Sequence, residues 1–166
     1  MNYPAIFYTN PENVTTTDIL CLSSAQHTID MAAYALTSSP IVAALIGRAL
    51  AGVKVRLYLD REQLRLEAHC HGGIASKPLG KLLTVPGVEV RVKHSDVLMH
   101  LKSYCVDDIL VRDGSANFSP EGLYNQDNSA IWRGDTEVVA AWQDKFDAMW
   151  RRGDNLTVEQ AVQTGA

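Results

Sequence analysis

Short apolar runs rich in β-forming residues alternate along the first half of the chain with segments of helical periodicity. The apolar runs predict four strands, which are Ala5–Thr9, Thr28–Leu36, Val53–Asp60 and Val88–Val92. The periodic segments predict three helices, at Thr17–Gln26, Ser39–Ala51 and Pro78–Leu83. Ser39 and Pro40 suit an N-cap and a first helical position, and Gly52 suits a C-terminal stop. This alternation of strand and helix is typical of an α/β protein.

The second half of the chain carries a hairpin-like pattern and one long helix. The stretch KSYCVDDILVRDGS predicts two strands joined at Asp107 and Asp108, and Asn128–Trp132 predicts another strand. A helix is predicted over residues 135–152. Its large apolar residues recur at helical spacing and are expected to pack in the core. They are Val138, Trp142, Phe146, Met149 and Trp150.

Together these elements predict an α/β/α sandwich, in which helices cover both faces of a mixed, mostly parallel sheet. The short connections late in the chain are the reason to expect a mixed sheet. No internal repeat, linker or low-complexity segment interrupts the 166 residues. We therefore expect a single domain over residues 1–166, and a chain of this length can bury a full core.

Composition narrows the class of protein. Hydrophobic residues make up 46% of the chain and charged residues 20%, as in ordinary globular proteins. No apolar run approaches the length of a membrane span, and the first residues lack the pattern of a secretory signal. A cytoplasmic protein is expected, and the alternative is an exported protein whose leader has been removed. Cys21, Cys70 and Cys105 are too widely spaced to predict a disulfide framework.

The formal net charge of −4 argues mildly against a strong, sequence-independent grip on DNA. It is compatible with a small basic groove, because net charge averages over the whole surface. Lys77, Lys81, Arg91 and Lys93 could line such a groove, although charged loop residues are usually only solvated.

One segment near the middle of the chain concentrates chemically active side chains. His100 and Lys102 lie two residues apart, which on a strand puts both on one face and turns Leu101 toward the core. Asp107 follows at the end of that strand. Residues 114–117 read Gly-Ser-Ala-Asn and predict a turn that leads into a helix. Imidazole, ammonium, hydroxyl and amide groups should therefore meet at the ends of adjacent strands, a usual location for sites in α/β folds.

This set of groups suits phosphoryl transfer, which needs a nucleophile, an acid for the leaving oxygen and donors around the other oxygens. A neutral imidazole can attack phosphorus and form a covalent intermediate, and His100 is the candidate nucleophile. Lys102 offers a positive charge, while Ser115, Asn117 and the turn amides offer hydrogen bonds. No cluster of carboxylates indicates a two-metal site. We therefore expect neither a metal ion nor another cofactor.

The compound pattern resembles the signature of the phospholipase D superfamily, the HKD motif. It comprises His100, Lys102 and Asp107, followed by Gly114, Ser115 and Asn117. The likeness extends upstream over Ile29–Asp60 and downstream over Asn125–Trp132, so that it covers about residues 29–150. It is closer to the small bacterial nucleases of this superfamily than to its large lipases. The resemblance implies a phospholipase D/nuclease-like sandwich and a phosphodiesterase.

The large enzymes of that superfamily carry two copies of the motif, whereas this sequence has one. The resemblance therefore implies a homodimer in which two His100 side chains face each other in one shared site. One His100 would attack the phosphate, and the other would protonate the leaving oxygen and later activate water. The two imidazoles need opposite protonation states at the start, so they should titrate as a coupled pair.

Two aspartates complete the roles that the resemblance implies. Small nucleases of the family usually carry a glutamate that orients the nucleophilic histidine, and residues 125–128 match that stretch. Asp127 stands at the glutamate position, is one methylene shorter, and is the predicted orienting carboxylate. Asp107 and Gly114 are expected to be structural, with Asp107 bracing its turn.

Three functions are compatible with these residues. The first is a metal-independent endonuclease that hydrolyses DNA or RNA through contacts with the backbone. The second is a phospholipid phosphodiesterase, which needs an apolar or amphipathic surface that the sequence does not show, so no stable membrane association is expected. The third is a catalytically weak nucleic-acid-binding module, for which the net acidity and Asp127 give slight support. We expect nucleic acid as substrate and a second copy of the chain as partner.

Overall fold

The computed structural model describes residues 5–9 and 14–163 of the chain. Seven strands are present in these residues: β1 (Ala5–Tyr8), β2 (Thr28–Ala33), β3 (Lys54–Leu59), β4 (Val88–Val92), β5 (Lys102–Val106), β6 (Leu110–Gly114) and β7 (Ser129–Arg133). The α-helices of the same residues are α1 (Val14–Ser23), α2 (Ser39–Leu50), α3 (Arg61–His69), α4 (Pro78–Leu82), α5 (Thr136–Trp150) and α6 (Val158–Gln163). Two single turns complete the elements, a 3-10 turn at Ile74–Ser76 and a π-helical turn at Glu121–Asn125.

The seven strands form one sheet in the order β1-β7-β6-β5-β2-β3-β4. The prediction of an α/β sandwich with a mixed sheet is confirmed, but the expectation that the sheet is mostly parallel is wrong. Only the β2–β3 and β3–β4 pairs are parallel, whereas the other four pairs are antiparallel. For the β5–β6 pair the reason lies in the connection, because residues 107–109 are too few for the long crossover that a parallel pair requires.

Each face of the sheet is buried against helices. Along β2, Ile29 and Met31 point to the larger core, whose other side is formed by α1, α2, α4 and α6. Ala32 points to the opposite face, where it packs with Tyr58 and with residues of α5. This alternation follows from the period of two in a strand. Burial on both faces explains why β2 reads as a continuous apolar run.

The predicted apolar stripe of α5 packs against the second face of the sheet, except that the buried valine is Val139 and not Val138. The rings of Trp142 and Phe146 stack with centroids 5.2 Å apart, and those of Phe146 and Trp150 with centroids 5.8 Å apart. The Arg56 guanidinium lies 5.1 Å from the Phe146 ring centroid and binds Asp30 through Nε at 2.6 Å. The core role of these aromatic residues is therefore confirmed.

Two helices were not predicted from the sequence. Helix α3 is mostly polar, and Leu64 is its only fully buried residue, so it lacks the apolar stripe on which the periodicity argument depends. Helix α6 is short, and Ala161 is its buried residue. A capping signal was nevertheless present, because Asp60 followed three residues later by Gln63 is an N-terminal pattern that helices use. Of the described helices, none combines the length and the apolar character needed to cross a membrane.

Candidate active site

The chemically active residues gather at one edge of the sheet, where β2 ends and β5 begins. Ala33 of β2 pairs with Lys102, and the Tyr34 amide donates to the Leu101 carbonyl at 2.8 Å. On the other side of β5, Tyr104 pairs with Arg112. Continuing that antiparallel register by two residues brings Lys102 level with Gly114. The segments 100–102 and 114–117 therefore reach the same edge.

His100 lies just before β5 rather than within it, which differs from the expected strand position. Regular pairing begins at Lys102, and the residues before it form a loop. Leu101 is 39% exposed and does not enter the core, so its predicted inward orientation is wrong. The alternation of a strand does not apply to a loop, and the exposed position leaves His100 accessible from solvent.

Tyr34 connects the histidine and the lysine. Its ring centroid lies 4.5 Å from that of His100, and the Lys102 ammonium lies 4.7 Å from the same tyrosine centroid. The Gln63 side chain donates to the tyrosine hydroxyl at 2.9 Å, which fixes the ring. An ammonium over an aromatic face is attracted by the ring's negative face. Sequence reasoning missed Tyr34, since an aromatic residue at the end of an apolar run predicts only core packing.

Lys102 is a buried cation at the base of the site. Its side chain is largely inside the protein, with 4% of the residue exposed, and its Nζ donates to the His100 carbonyl at 2.7 Å. Burial lowers the pKa of Lys102 to about 8, and although the negative charge of Asp60 opposes this fall, Arg112 adds to it. An ammonium held with so few partners has unused donors for an anion.

Asp60 ties the histidine loop to α3. One carboxylate oxygen accepts from the Glu62 and Gln63 amides at 3.0 and 3.1 Å, which caps the helix. The other oxygen accepts from the Met99 amide at 2.9 Å. Met99 immediately precedes His100, so this buried carboxylate positions the loop that carries the imidazole. The sequence places Asp60 at the end of a predicted strand, but gives no sign of its contact with Met99.

Gly114 and Ser115 lie where β6 runs closest to β7. A Cβ atom at Gly114 would come within 2.3 Å of the Ser129 carbonyl oxygen, so only glycine allows this approach. The Ser115 hydroxyl accepts from the Ser129 amide at 3.0 Å, and the Ser115 amide donates to the Ser129 carbonyl at 2.9 Å. The serine oxygen is thereby held in place while its own proton is free to be donated.

Asn117, in the turn after β6, has an unsatisfied side-chain amide. Its Oδ1 is buried and has no hydrogen-bond partner among the described residues. Leaving such an atom unpaired costs about 1–3 kcal/mol, so it calls for an explanation. Rotating the amide by half a turn would put the Nδ2 donor there instead, where it could meet a phosphate oxygen. Gly122 packs directly on Asn117, since a Cβ atom at Gly122 would lie 2.7 Å from the Asn117 amide nitrogen.

A buried arginine joins the two halves of the site. Arg112 donates to the Lys102 carbonyl through one terminal nitrogen and to the Ala116 carbonyl at 3.1 Å through the other. Its Nε lies 3.3 Å from Asp18 Oδ1, and both side chains are fully buried. Asp18 also accepts from the Tyr104 hydroxyl at 3.0 Å. Arg112 therefore sets the position of the 114–117 turn relative to the start of β5, a role that sequence reasoning missed.

Asp107 lies at the opposite end of β5 from His100. Its carboxylate accepts from the backbone amides of Gln26, His27 and Thr28 at 2.7–2.8 Å. Partial burial acts to raise the pKa of Asp107, but these hydrogen bonds outweigh it and lower the pKa overall. The residue has a left-handed φ of 51° in the β5–β6 turn. This geometry is that of a structural brace between the turn and the start of β2.

Asp127 is exposed in the loop that precedes β7. It makes no hydrogen bond or ion pair with any residue in the described part of the chain, and so does not contact His100 within one chain. Across residues 5–9 and 14–163, no three His, Cys, Asp or Glu side chains are grouped as ligands for a metal ion.

Known structures share this fold. NucT from Helicobacter pylori superposes with a TM-score of 0.76 and 24% identity, covering 88% of this chain and 94% of that one. Nuc from Salmonella typhimurium, a phospholipase D family member, superposes with a TM-score of 0.73 and 20% identity, covering 92% and 98%. The predicted phospholipase D/nuclease-like fold is therefore confirmed.

Curated proteins of similar sequence include two mitochondrial cardiolipin hydrolases. The protein from Chlamydomonas reinhardtii is 26% identical over 129 residues, which are 78% of this chain and 54% of that protein. The protein from Xenopus laevis is 26% identical over 136 residues, which are 82% and 60% of the two chains. The chain thus spans between half and two thirds of the length of these relatives.

A family-level match covers most of the chain. Residues 19–150 match the family described as cardiolipin synthase, PLD-like domain. They contain every residue that we assigned to the predicted motif, from His100 to Asp127. The predicted membership of the phospholipase D superfamily is confirmed by this match. Because the match extends over well more than half of the chain, this protein belongs to the phospholipase D-like domain family.

Proposed function

We propose that this chain is an endonuclease that hydrolyses DNA or RNA without a metal ion, at a site shared by two copies of the chain. The observation that carries the proposal is the contact of Tyr34 with both His100 and Lys102. It joins an exposed imidazole to a buried ammonium at the sheet edge that Ser115 and Asn117 also reach. A nucleophile and a fixed positive charge in one place are what phosphoryl transfer requires.

The proposed reaction has two displacement steps at phosphorus. An imidazole nitrogen of one His100 attacks, forming a P–N bond while the P–O bond to the leaving group breaks. The imidazolium of the second copy's His100 gives its proton to the leaving oxygen. That imidazole then takes a proton from water, which attacks phosphorus and breaks the P–N bond. Lys102, Ser115 and Asn117 hold the phosphoryl oxygens throughout.

The surface around His100 supports a shared site. Val97, Leu98 and Leu101 are 71%, 49% and 39% exposed, although all three are large and apolar. An isologous dimer would cover such a patch and bring the two histidines together at its axis. Asp127, which makes no hydrogen bond or ion pair with the described residues of its own chain, would be available to orient an imidazole of the other copy in this assembly.

Nucleic acid is the favoured substrate because of the likeness to NucT and Nuc. This chain covers 94% and 98% of those two proteins, but only 54–60% of the two cardiolipin hydrolases described above. A domain of this size is thus a nearly complete counterpart of the first pair. With a net charge of −4, binding has to depend on local contacts with the phosphate backbone rather than on overall attraction.

Phospholipid hydrolysis is the second candidate, and one observation favours it. The exposed Val97, Leu98 and Leu101 flank His100 and form an apolar surface that was not apparent from the sequence. Apolar residues next to a reactive group suit contact with lipid. The names of the cardiolipin hydrolases point the same way.

The proposed function is tested by incubating the protein with single-stranded oligonucleotide, plasmid, RNA and cardiolipin vesicles, each in excess EDTA. We expect cleavage of nucleic acid to persist in the chelator and the vesicles to release no product. Release of phosphatidic acid without nucleic acid cleavage would establish the lipid alternative. Binding of nucleic acid without cleavage of any substrate would identify the weak binding module and reject the enzyme.

The activity should fall as the pH rises through about 8. Lys102 must be charged to hold the phosphoryl oxygens, and its pKa is lowered to about 8 by burial. The alkaline limb of kcat/KM reports groups of the free enzyme, so its apparent pKa should lie near this value. In Lys102→Arg the guanidinium stays charged, and the residual activity should show no such limb. An unchanged limb in that variant would assign it to another group.

The free energy of unfolding should also depend on the protonation of Lys102, but it should rise with pH where the activity falls. The folded-state pKa of Lys102 is about 8, against an ordinary value of 10.5. Between these pH values the unfolded chain binds more protons, so the contribution of Lys102 to the free energy of unfolding rises with pH. Urea unfolding at pH 7 should accordingly find Lys102→Met more stable than the wild type, which separates loss of activity from loss of fold.

A further inference from the structure

A cleft of about 340 Å³ opens next to His100, between the histidine loop and α5. Buried Tyr58 and Met99 and half-buried Met149 contribute apolar surface to it. Two lysines also line the cleft, Lys93 from the end of β4 and Lys145 from α5. A space of this size suits one nucleotide unit rather than a duplex, since ligand pockets begin at about 300 Å³.

The two lysines lack acidic partners. Lys145 makes no ion pair or hydrogen bond with any described residue, and the Lys93 ammonium donates only to the Leu98 carbonyl, at 3.3 Å. Lys54, by contrast, pairs with Glu89 at 3.2 Å. Arg152 also lines the cleft, but Asp154 neutralises it through two hydrogen bonds.

Unpaired cations in an acidic chain create a local positive field. Lys102 is likewise without a carboxylate within ion-pair distance among the described residues, and its ammonium donates to the His100 carbonyl. Three ammonium groups, none of them in an ion pair with a described residue, therefore lie near the imidazole that the proposed reaction uses. A substrate that carries a single phosphate would engage only the first of them, Lys102.

We propose that Lys93 and Lys145 bind the phosphate that neighbours the scissile one in a single-stranded nucleic acid. This inference rests on the proposed nuclease function and names the form of its substrate. The nucleoside between the two phosphates packs on Met149, an apolar lining residue of the cleft that is partly exposed, as bases do on side-chain platforms in single-strand binding sites. The cleft thereby selects an unpaired strand over a duplex.

The test compares two substrates in the full-length protein. A short single-stranded oligonucleotide carries neighbouring phosphates, whereas bis(p-nitrophenyl) phosphate carries only the scissile one. Lys145→Gln should lower kcat/KM for the oligonucleotide by about tenfold more than for the small diester, because a charge-assisted hydrogen bond is lost only with the first. The matched control is Lys54→Gln, an exposed lysine at the start of β3 and outside the cleft, which should leave both values at wild-type level.

The salt dependence of kcat/KM gives a second test of the proposed phosphate contact. The slope of log kcat/KM against log salt concentration should become shallower by about 0.7 in Lys145→Gln, the value for one lost phosphate contact on a single strand. Equal losses on both substrates, or no loss on the oligonucleotide, would overturn the inference while leaving the nuclease proposal intact. A wild type that cleaves cardiolipin vesicles or the small diester, but no nucleic acid, would reject both proposals.

Discussion

Replacing His100 with alanine should lower hydrolysis of oligonucleotides by roughly a thousandfold or more, because removing a covalent nucleophile leaves only the binding contributions. The imidazole is exposed and packs mainly on Tyr34, so the substitution should change the free energy of unfolding by no more than about 0.5 kcal/mol. Initial rates in EDTA, together with urea unfolding of the same preparation, measure both effects.

The matched control is His71→Ala, since His71 is an exposed histidine outside the site. It should retain wild-type rates. A His100→Ala protein that is folded and keeps more than about a tenth of the activity would remove the nucleophile from the mechanism. The hydrolysis of bis(p-nitrophenyl) phosphate should be measured in the same experiment. Loss of the nucleophile should lower the rate with this diester and with the oligonucleotide alike, whereas loss of Lys145 should affect mainly the oligonucleotide.

The His100→Ala variant also allows a test of whether two chains share one active site. If each dimer needs two imidazoles, mixed dimers of wild type and His100→Ala are inactive. Subunit exchange with an equal amount of the variant should then reduce the activity of a fixed amount of wild type by about half. If each chain works alone, the activity should not change. Exchange with the His71→Ala protein controls for effects of mixing.

Replacing Arg112 with methionine should lower the free energy of unfolding by about 3–5 kcal/mol, because it leaves the buried Asp18 without its counter-ion. Burial already raises the pKa of Asp18, and the charge of Arg112 is the main factor opposing that rise. The Lys102 and Ala116 carbonyls also lose their donor. Urea unfolding at pH 7 measures the loss, and activity should fall as well because the 114–117 turn is no longer held to β5.

The exposed ion pair of Arg133 is the control for the buried ion pair of Arg112. It pairs with Asp135 at 2.7 Å, but the two side chains are 37% and 46% exposed, and an exposed pair contributes only about 0–1 kcal/mol. Arg133→Met should therefore be nearly neutral. Replacing Asp18 with leucine in the Arg112→Met background should recover much of the lost stability, since no charge is then buried alone. A loss below about 1 kcal/mol for Arg112→Met would show that the buried pair does not stabilise the fold.

The secondary structure of the chain was largely predictable from local pattern. Strand β2 and helix α2 lie within about three residues of their predicted bounds, because burial of one face or both leaves a period in the sequence. The direction of strand pairing left no such trace. Periodicity shows which side of a strand is buried, but not which strand lies beside it. The sequence therefore gave no indication that β5 pairs with β2 and not with β4.

By itself the sequence determined the reactive groups of this protein, since His100, Lys102 and the 114–117 turn are a local pattern whose chemistry is that of their side chains. Only the tertiary structure decided how these groups are held. Tyr34 follows β2, Asp60 follows β3 and Arg112 lies in β6. They meet at the site because the sheet order β6-β5-β2-β3 places these strands on the two sides of β5. In the sequence, each of these three residues resembles an ordinary core, cap or strand residue. Their contacts are between segments far apart in the chain, and the spacing of residues within one segment does not indicate such contacts.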